Sequence, residues 1–245
     1  MKTLKICAIS DTHNRHKQIK AFQDYNSYLG EEVEPLSGDI IIHAGDATGQ
    51  GRQSEIESFI EWFGQLDFRY KIFVPGNHDY GFETNQTLYR TLCEKNGIIL
   101  LNHESITIEG VKIFGSPWTP WFYDWAFNAG RTITEAAFYK KPFIGDLWST
   151  IPKDTNILVT HGPAYGVLDE LLYVDGTPKG QYVGCVELAK KIKEIKPDLH
   201  ICGHIHCGYG QLHWEGTSYY NVSVCDEMYT PSNAVTVIDY EYDSK

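Results

Sequence analysis

The 245-residue sequence has no excess of positive charge. Its 21 Lys and Arg residues stand against 32 Asp and Glu, a formal net charge of −11. Proteins that grip long nucleic acid neutralise many phosphates with Lys and Arg, so this balance argues against an extended nucleic-acid partner. Small phosphate substrates stay open, because bound cations supply a local positive field. No apolar run approaches the roughly 20 residues of a membrane span. Met1-Lys2-Thr3-Leu4-Lys5 leads directly into a strand-like run without the apolar core of a signal peptide, so a cytoplasmic protein is expected. The six cysteines (Cys7, Cys93, Cys185, Cys202, Cys207, Cys225) are scattered with no C-x-x-C pair, which excludes a disulfide scaffold and argues against a cysteine-rich structural zinc site. Cys202 and Cys207 flank a histidine pair and are minor candidates as ligands.

Repeats, low-complexity tracts and linkers are absent too, and residues 1–245 read as one domain. At 42% apolar residues the chain can bury a sizeable core. Strand-like runs at Leu4–Ser10, Asp39–Ala44, Lys71–Val74, Ile98–Leu101, Asn156–Thr160 and Leu199–Cys202 alternate with helical segments, the pattern of an α/β fold. The clearest helix spans about Gln53 to Leu66, with Ile56, Phe59, Ile60 and Phe63 on one face. Weaker helical character covers about 16–29 (Ile19, Phe22, Tyr25, Leu29), 85–96 and 133–140, and a helix is expected over Cys185–Ile195. Ser105–Ile108 and Val111–Gly115 read as a hairpin across Glu109-Gly110. An acidic loop is expected over Gly30–Ser37 and a glycine- and tyrosine-rich loop over Ala164–Gly184. Strands at about 210–214, 218–224 and 234–240 close the chain.

Several strands end alike: an apolar run stops at small residues and presents ligand-type side chains. These are Asp11 and His13, Asp46, Asn77 and His78 with Asp79, His161, and His204 with His206. In open α/β sheets the carboxyl ends of the strands form the ligand-binding edge. Imidazoles and carboxylates gathered there suit Zn²⁺, Mn²⁺ or Fe. Asp11/His13 and His204/His206 stand at i, i+2, which places each pair on one face if the backbone stays extended. The groups outnumber one metal's needs. Two metals sharing a carboxylate fit better, and such a pair deprotonates a bridging water and holds both the attacking and leaving oxygens at phosphorus.

Taken together, Asp11-x-His13, Gly45-Asp46-x4-Gly51, Gly76-Asn77-His78-Asp79, His161 and Gly203-His204-x-His206 resemble the calcineurin-like metallophosphoesterases, in order and in strand-end context. The segment Ser116-Pro117-Trp118 to Phe127, with Thr160-His161-Gly162-Pro163, is similar to the metallophosphodiesterase-domain branch. The resemblance implies a four-layered sandwich of two central mixed β-sheets flanked by helices. It implies that Asp11, His13, Asp46 and His206 hold one divalent ion and that Asp46, Asn77, His161 and His204 hold the other, with manganese first and iron or zinc also suitable. His78 then acts as a catalytic group on the phosphorus oxygens or the leaving group. Asp79 either orients His78 or a ligand, or caps a turn.

The expected activity is hydrolysis of a small phosphodiester such as a cyclic nucleotide. A nuclease, a phosphomonoesterase or protein phosphatase of the same superfamily, and a non-catalytic metal-binding scaffold are the alternatives. The scaffold is expected to have lost a ligand or His78, and this sequence has lost neither. Aromatic residues at 118–127 are either a packing surface or a platform on which Trp118, Trp121, Phe122 or Trp125 stacks on a nucleobase. Arg52 is either a phosphate contact or a solvated helix-start residue. His43 and His200 lie within strands and are expected in the core or behind the ligands.

Overall fold

The computed structural model describes residues 1–23, 25–26, 31–32, 34–172 and 177–243. Two mixed β-sheets pack face to face, and helices cover their outer faces. The first sheet has the order Thr236–Tyr242, Lys2–Ile9, Gly38–His43, Phe68–Phe73, Ile98–Leu100, in which only the Thr236–Tyr242 edge is antiparallel. The second runs Gly210–Trp214, Thr217–Asn221, Leu199–Cys202, Ile157–Thr160, Val111–Ser116, Glu104–Ile108, with both edge strands antiparallel to their neighbours. This is the α/β architecture expected from the sequence.

The central strands are apolar almost without a break because both of their faces are buried. Leu4, Ile6, Ala8, Ile40, Ile42 and Ile72 point between the sheets, where they meet Ile113, Ile157, Val159 and Ile201. The intervening residues Cys7, Ile41 and Phe73 face helix α1 (Gln53–Gln65), which buries Ile56, Phe59, Ile60 and Phe63 against them. Each fully buried side chain of this size contributes about 2 kcal/mol. On the far side, Phe114 and Leu158 pack with Ile144 and Trp148 of helix α5 (Ile144–Ser149) and Leu188 and Ile192 of helix α6 (Val186–Ile195). Cys185 caps α6, its sulfur accepting from the Leu188 amide. Helix α3 (Gln86–Lys95) fills the stretch expected to be helical, an unexpected short helix α2 (Tyr80–Thr84) precedes it, and α4 (Ile133–Tyr139) falls as expected. The hairpin turn forms at Glu109 and Gly110, both at positive φ, as two-residue hairpins of this twist require.

Two expectations fail. In place of a helix over 16–29 there are two 3₁₀ turns, His16–Gln18 and Lys20–Phe22, interrupted by extended Ile19. Tyr25–Asn26 then pairs antiparallel with Glu31–Glu32 inside the expected acidic loop. Leu29 and Gly30 lie outside the described residues. The imperfect apolar spacing of this stretch never completes a helical stripe, so packing of Ile19 and Phe22 against Val224, Val235 and Trp62 decides its shape. The 164–184 loop also contains structure, an antiparallel pair of Glu170–Leu172 with Pro178–Tyr182, while 173–176 lie outside the described residues. No helix among the described residues is long and apolar enough to cross a membrane.

Parallel registry brings the strand ends level. Ile9 pairs with His43 and His43 with Phe73 in one sheet, and Thr160 pairs with Ser116 in the other. The two sheets are stitched together at this end: the Ser10 amide donates to the Val222 carbonyl at 2.9 Å, and the Val224 amide to the Ser10 carbonyl at 3.0 Å.

Candidate metal centre

The loops leaving these strands carry the ligand-type residues into the seam between the sheets. They do so by leaving the extended conformation. Asp11 (φ +54°), His13 (φ +40°), Asp46 (φ +55°) and His204 (φ +70°) all occupy the left-handed region, and His206 opens a 3₁₀ turn. The i, i+2 pairs therefore converge through turns and not along an extended face. Asp and His enter this region more readily than most side chains, so the turns that gather the cluster are cheap for these residue types.

Asp11 is fully buried. Its Oδ2 is saturated by Ser10 Oγ (2.5 Å), Ser223 Oγ (2.8 Å) and the His204 amide (2.9 Å). Its Oδ1 is buried with no hydrogen-bond partner and lies 3.5 Å from His206 Nε2 and 3.9 Å from His13 Nε2. Asp46 accepts the His78 amide on Oδ1 (2.8 Å) and turns Oδ2 toward His161 Nε2 (3.3 Å), His13 Nε2 (3.9 Å) and His78 Nε2 (3.9 Å). Asn77 Oδ1 stands 3.0 Å from His161 Nε2.

Backbone carbonyls orient three of the rings. His161 Nδ1 donates to Ala44 O at 2.9 Å, His206 Nδ1 to Asp226 O at 2.8 Å, and His78 Nδ1 to Gly49 O at 2.6 Å. Each bond leaves Nε2 directed into the cluster, the arrangement that metal-ligating imidazoles adopt. Donor atoms of Asp11, His13 and His206 lie within 4.8 Å of one another, as do those of Asp46, His161 and His204, and those of His13, Asp46 and His78. Two triads thus hold ligands assigned to each expected ion, and Asp46 stands where the two meet.

The electrostatics fit cations. Burial works against charge on Asp11, yet the imidazoles of His206, His161 and His13 hold its carboxyl well below the usual range. Burial likewise opposes ionisation of Asp46, and His161 and His78 outweigh it. His161 and His206 are pushed down by burial but held up to about 9 by Asp46 and Asp11 respectively, so both rings sit in a field that favours positive charge. Burial keeps His13 (about 4) and His204 (about 3) neutral, as ligands must be. The orphaned Asp11 Oδ1 and the mutually facing acceptors fit a divalent ion better than they fit an empty polar pocket.

His78 reaches the cluster edge, its ring tilted against Trp125 at 4.3 Å and edge-on to His13 at 4.7 Å. Asp79 does not orient it. The Asp79 carboxylate accepts from the Thr48 amide (3.0 Å), Thr48 Oγ1 (2.8 Å), the Gly76 amide (2.8 Å) and the Ala47 amide (3.3 Å), clamping the Asp46 and Asn77 loops together. Burial and the Asp46 charge push it up to about 6. Of the readings open for Asp79, this geometry matches the one in which it steadies the loops that carry Asp46 and Asn77.

The aromatic segment divides. Trp118 packs on Phe127 and Trp121 stacks on Tyr139 at 3.8 Å, whereas Phe122 lies 5.1 Å from His204 and Trp125 covers His78. Arg52 sits exposed at the start of α1 and bonds Gln50 at 2.6 Å. His43 and His200 are buried behind the cluster, on Thr12 (3.0 Å) and Thr160 (2.8 Å). Cys202 is buried, and Cys207 donates to the Glu170 carbonyl. Among the described residues no cysteine joins a metal-capable cluster. Sequence reasoning missed Ser10, Ser223 and Tyr229. The Tyr229 ring lies edge-on to His13 at 4.7 Å and to His206 at 5.6 Å. No spacing rule points to it, because it follows the last motif on a loop of its own.

Two sheets whose joined ends carry buried, cation-seeking His and Asp triads define a metallohydrolase-type centre. The chain belongs to the calcineurin-like phosphoesterase family, whose description matches residues 4–208. It is 36% identical over 257 residues to the metallophosphoesterase domain-containing protein 1 of Homo sapiens, and equally to that of Mus musculus, covering 96% of this chain and 70% of theirs. Its fold is similar to that of the phosphopantetheinyl hydrolase of Mycobacterium tuberculosis, with a TM-score of 0.56, 18% identity, and 92% and 90% of the two chains covered.

Proposed function

We propose that the chain is a phosphodiesterase that hydrolyses a small phosphodiester in the cytoplasm, with two divalent ions held by Asp11, His13, Asp46 and His206 and by Asp46, Asn77, His161 and His204. Manganese is the first choice, and iron and zinc suit the same donors. The observation that carries this reading is the sharing of Asp46: its Oδ2 faces His161 at 3.3 Å and His13 at 3.9 Å, one histidine from each ligand set. Bound there, the pair of ions supplies Lewis acidity and a nucleophilic water at neutral pH.

The chain's own residues do the rest. His78, fixed through Gly49, presents Nε2 beside Asp46, where it is placed to stabilise charge on phosphoryl oxygen or to give a proton to the leaving alcohol. A diester is favoured over a monoester because the cluster has an aromatic wall on each side. Phe122 and Trp125 stand by His204 and His78, and Tyr229 stands by His13 and His206. A monoester has one organic group to place, and a diester has two. Cyclic nucleotides are the first natural candidates.

The test is hydrolysis by metal-stripped protein with Mn²⁺ restored, on bis-(para-nitrophenyl) phosphate and para-nitrophenyl phosphate. Metal-dependent cleavage of the diester alone supports the proposal. Preference for the monoester replaces it with a phosphatase.

A further inference from the structure

Tyr229 is an aromatic residue in a costly position. Its φ of +58° is one that Gly or Asn takes easily and a large side chain does not, and the residue remains 45% exposed. Asp226 enforces the conformation. Its Oδ1 accepts the Met228 amide (2.9 Å) and the Thr230 amide (3.0 Å), its carbonyl accepts the Tyr229 amide (2.9 Å), and its own amide donates to Thr230 O (2.9 Å). The same carbonyl accepts from His206 Nδ1, so one tight turn both aims a ligand and lifts Tyr229 over it. Met228 beside it is 82% exposed, so the turn presents an apolar edge outward.

The ring contacts form a continuous line across the cluster: Trp125 to His78 at 4.3 Å, His78 to His13 at 4.7 Å, His13 to Tyr229 at 4.7 Å. Its two aromatic ends come from unrelated loops. The Tyr229 hydroxyl makes no hydrogen bond to any described residue and can donate to a ligand.

We propose that Tyr229 is a specificity-determining residue: its ring receives the second ester substituent of a diester whose phosphorus lies over Asp46, and it selects diesters in which that second group is flat or apolar. This rests on the diester reading above and deepens it.

The experiment measures binding of diphenyl phosphate and of methyl phenyl phosphate, read by rapid mixing before turnover, to Mn²⁺-loaded wild type, Tyr229→Ala and Tyr229→Phe, with metal content measured on each. Wild type is expected to bind the diphenyl ester about tenfold more tightly, within the range of one aromatic stack. Tyr229→Ala should shrink that gap below about twofold at unchanged metal content, and Tyr229→Phe should keep it. A gap that survives in Tyr229→Ala, or is absent from wild type, overturns the proposal. Metal loss in Tyr229→Ala also overturns it, by making the ring a brace for His206. The diester reading is judged separately, by whether wild type turns over diphenyl phosphate or phenyl phosphate. Preference for phenyl phosphate defeats that reading whatever the Tyr229 variants do.

Discussion

Asp46 Oδ2 faces His161 Nε2 at 3.3 Å across the seam between the two sheets, while Oδ1 of the same carboxylate accepts the His78 amide. One side chain thus ties His161 of the second sheet to the His78 loop of the first. Asp46→Asn keeps the shape and removes the charge on which both triads depend. The expected result is loss of both ions from purified protein and a fall in activity of roughly 10–100-fold or more, the range seen when partners around a metal are removed. Elemental analysis showing one ion fully retained counts against the shared role.

His78 is held by the Gly49 carbonyl and not by Asp79, so its removal leaves the ligand loops clamped. His78→Ala should retain both ions and lose about 10²–10⁴ in turnover, the usual span for a positioned acid or base. Asp79→Asn should instead lower thermal stability and metal retention together, because it weakens the clamp on Ala47, Thr48 and Gly76. Variants that exchange these two phenotypes would reverse the assignments.

The strand-end motifs made most of this centre legible, since chemistry and spacing sit together at Asp11-x-His13, Asn77-His78 and His204-x-His206. The α1 stripe was readable for the same local reason: Ile56, Phe59, Ile60 and Phe63 recur at the helical period and are all buried. What escaped was set by contacts distant in sequence. Ser223 meets Asp11, and Tyr229 meets His13, only because the two sheets pack face to face and join at their strand ends. The division of the aromatic segment was equally hidden, since stacking on Tyr139 draws Trp121 away from the site while Trp125 stays on His78. Residues 16–23 were misread because tertiary packing of Ile19 and Phe22 outweighed a weak helical pattern.

The glycines of the motifs are steric requirements. A Cβ on Gly76 would strike Asp46 and the His161 ring, and one on Gly203 would strike Ser10 and Asp11. Gly203→Ala should destabilise the fold by about 1–3 kcal/mol, the usual range for overpacking. It should also displace the Asp11 carboxylate, so that the ion beside His13 and His206 is lost before the one beside His161. Urea unfolding with metal analysis at substoichiometric Mn²⁺ checks both parts. Wild-type stability and loading would show that the loop yields freely.

Stability should fall in mild acid through core histidines as well as through the metal centre. His16 lies between Phe59 and Trp62 with Nδ1 unpartnered, and burial holds it down to about 4. Burial holds His43 and His200 at about 3. An unfolded imidazole titrates near 6.5, so below that pH the unfolded chain takes up protons that the folded protein refuses. The stability contributed by neutral His16 is therefore complete above about pH 6.5, and it is lost as the pH falls toward 4 at about 1.4 kcal/mol per unit. Asp79 works the other way: its folded value of about 6 exceeds the free value of 3.8, so acid in that window favours the folded state and offsets one histidine. His16→Phe keeps the apolar contacts and removes the titration. In chelator-treated protein its unfolding free energy should drop less than wild type's between pH 6.5 and 5, by about 1.4 kcal/mol per unit. Equal slopes for the two proteins would mean that His16 accepts its proton in the folded state.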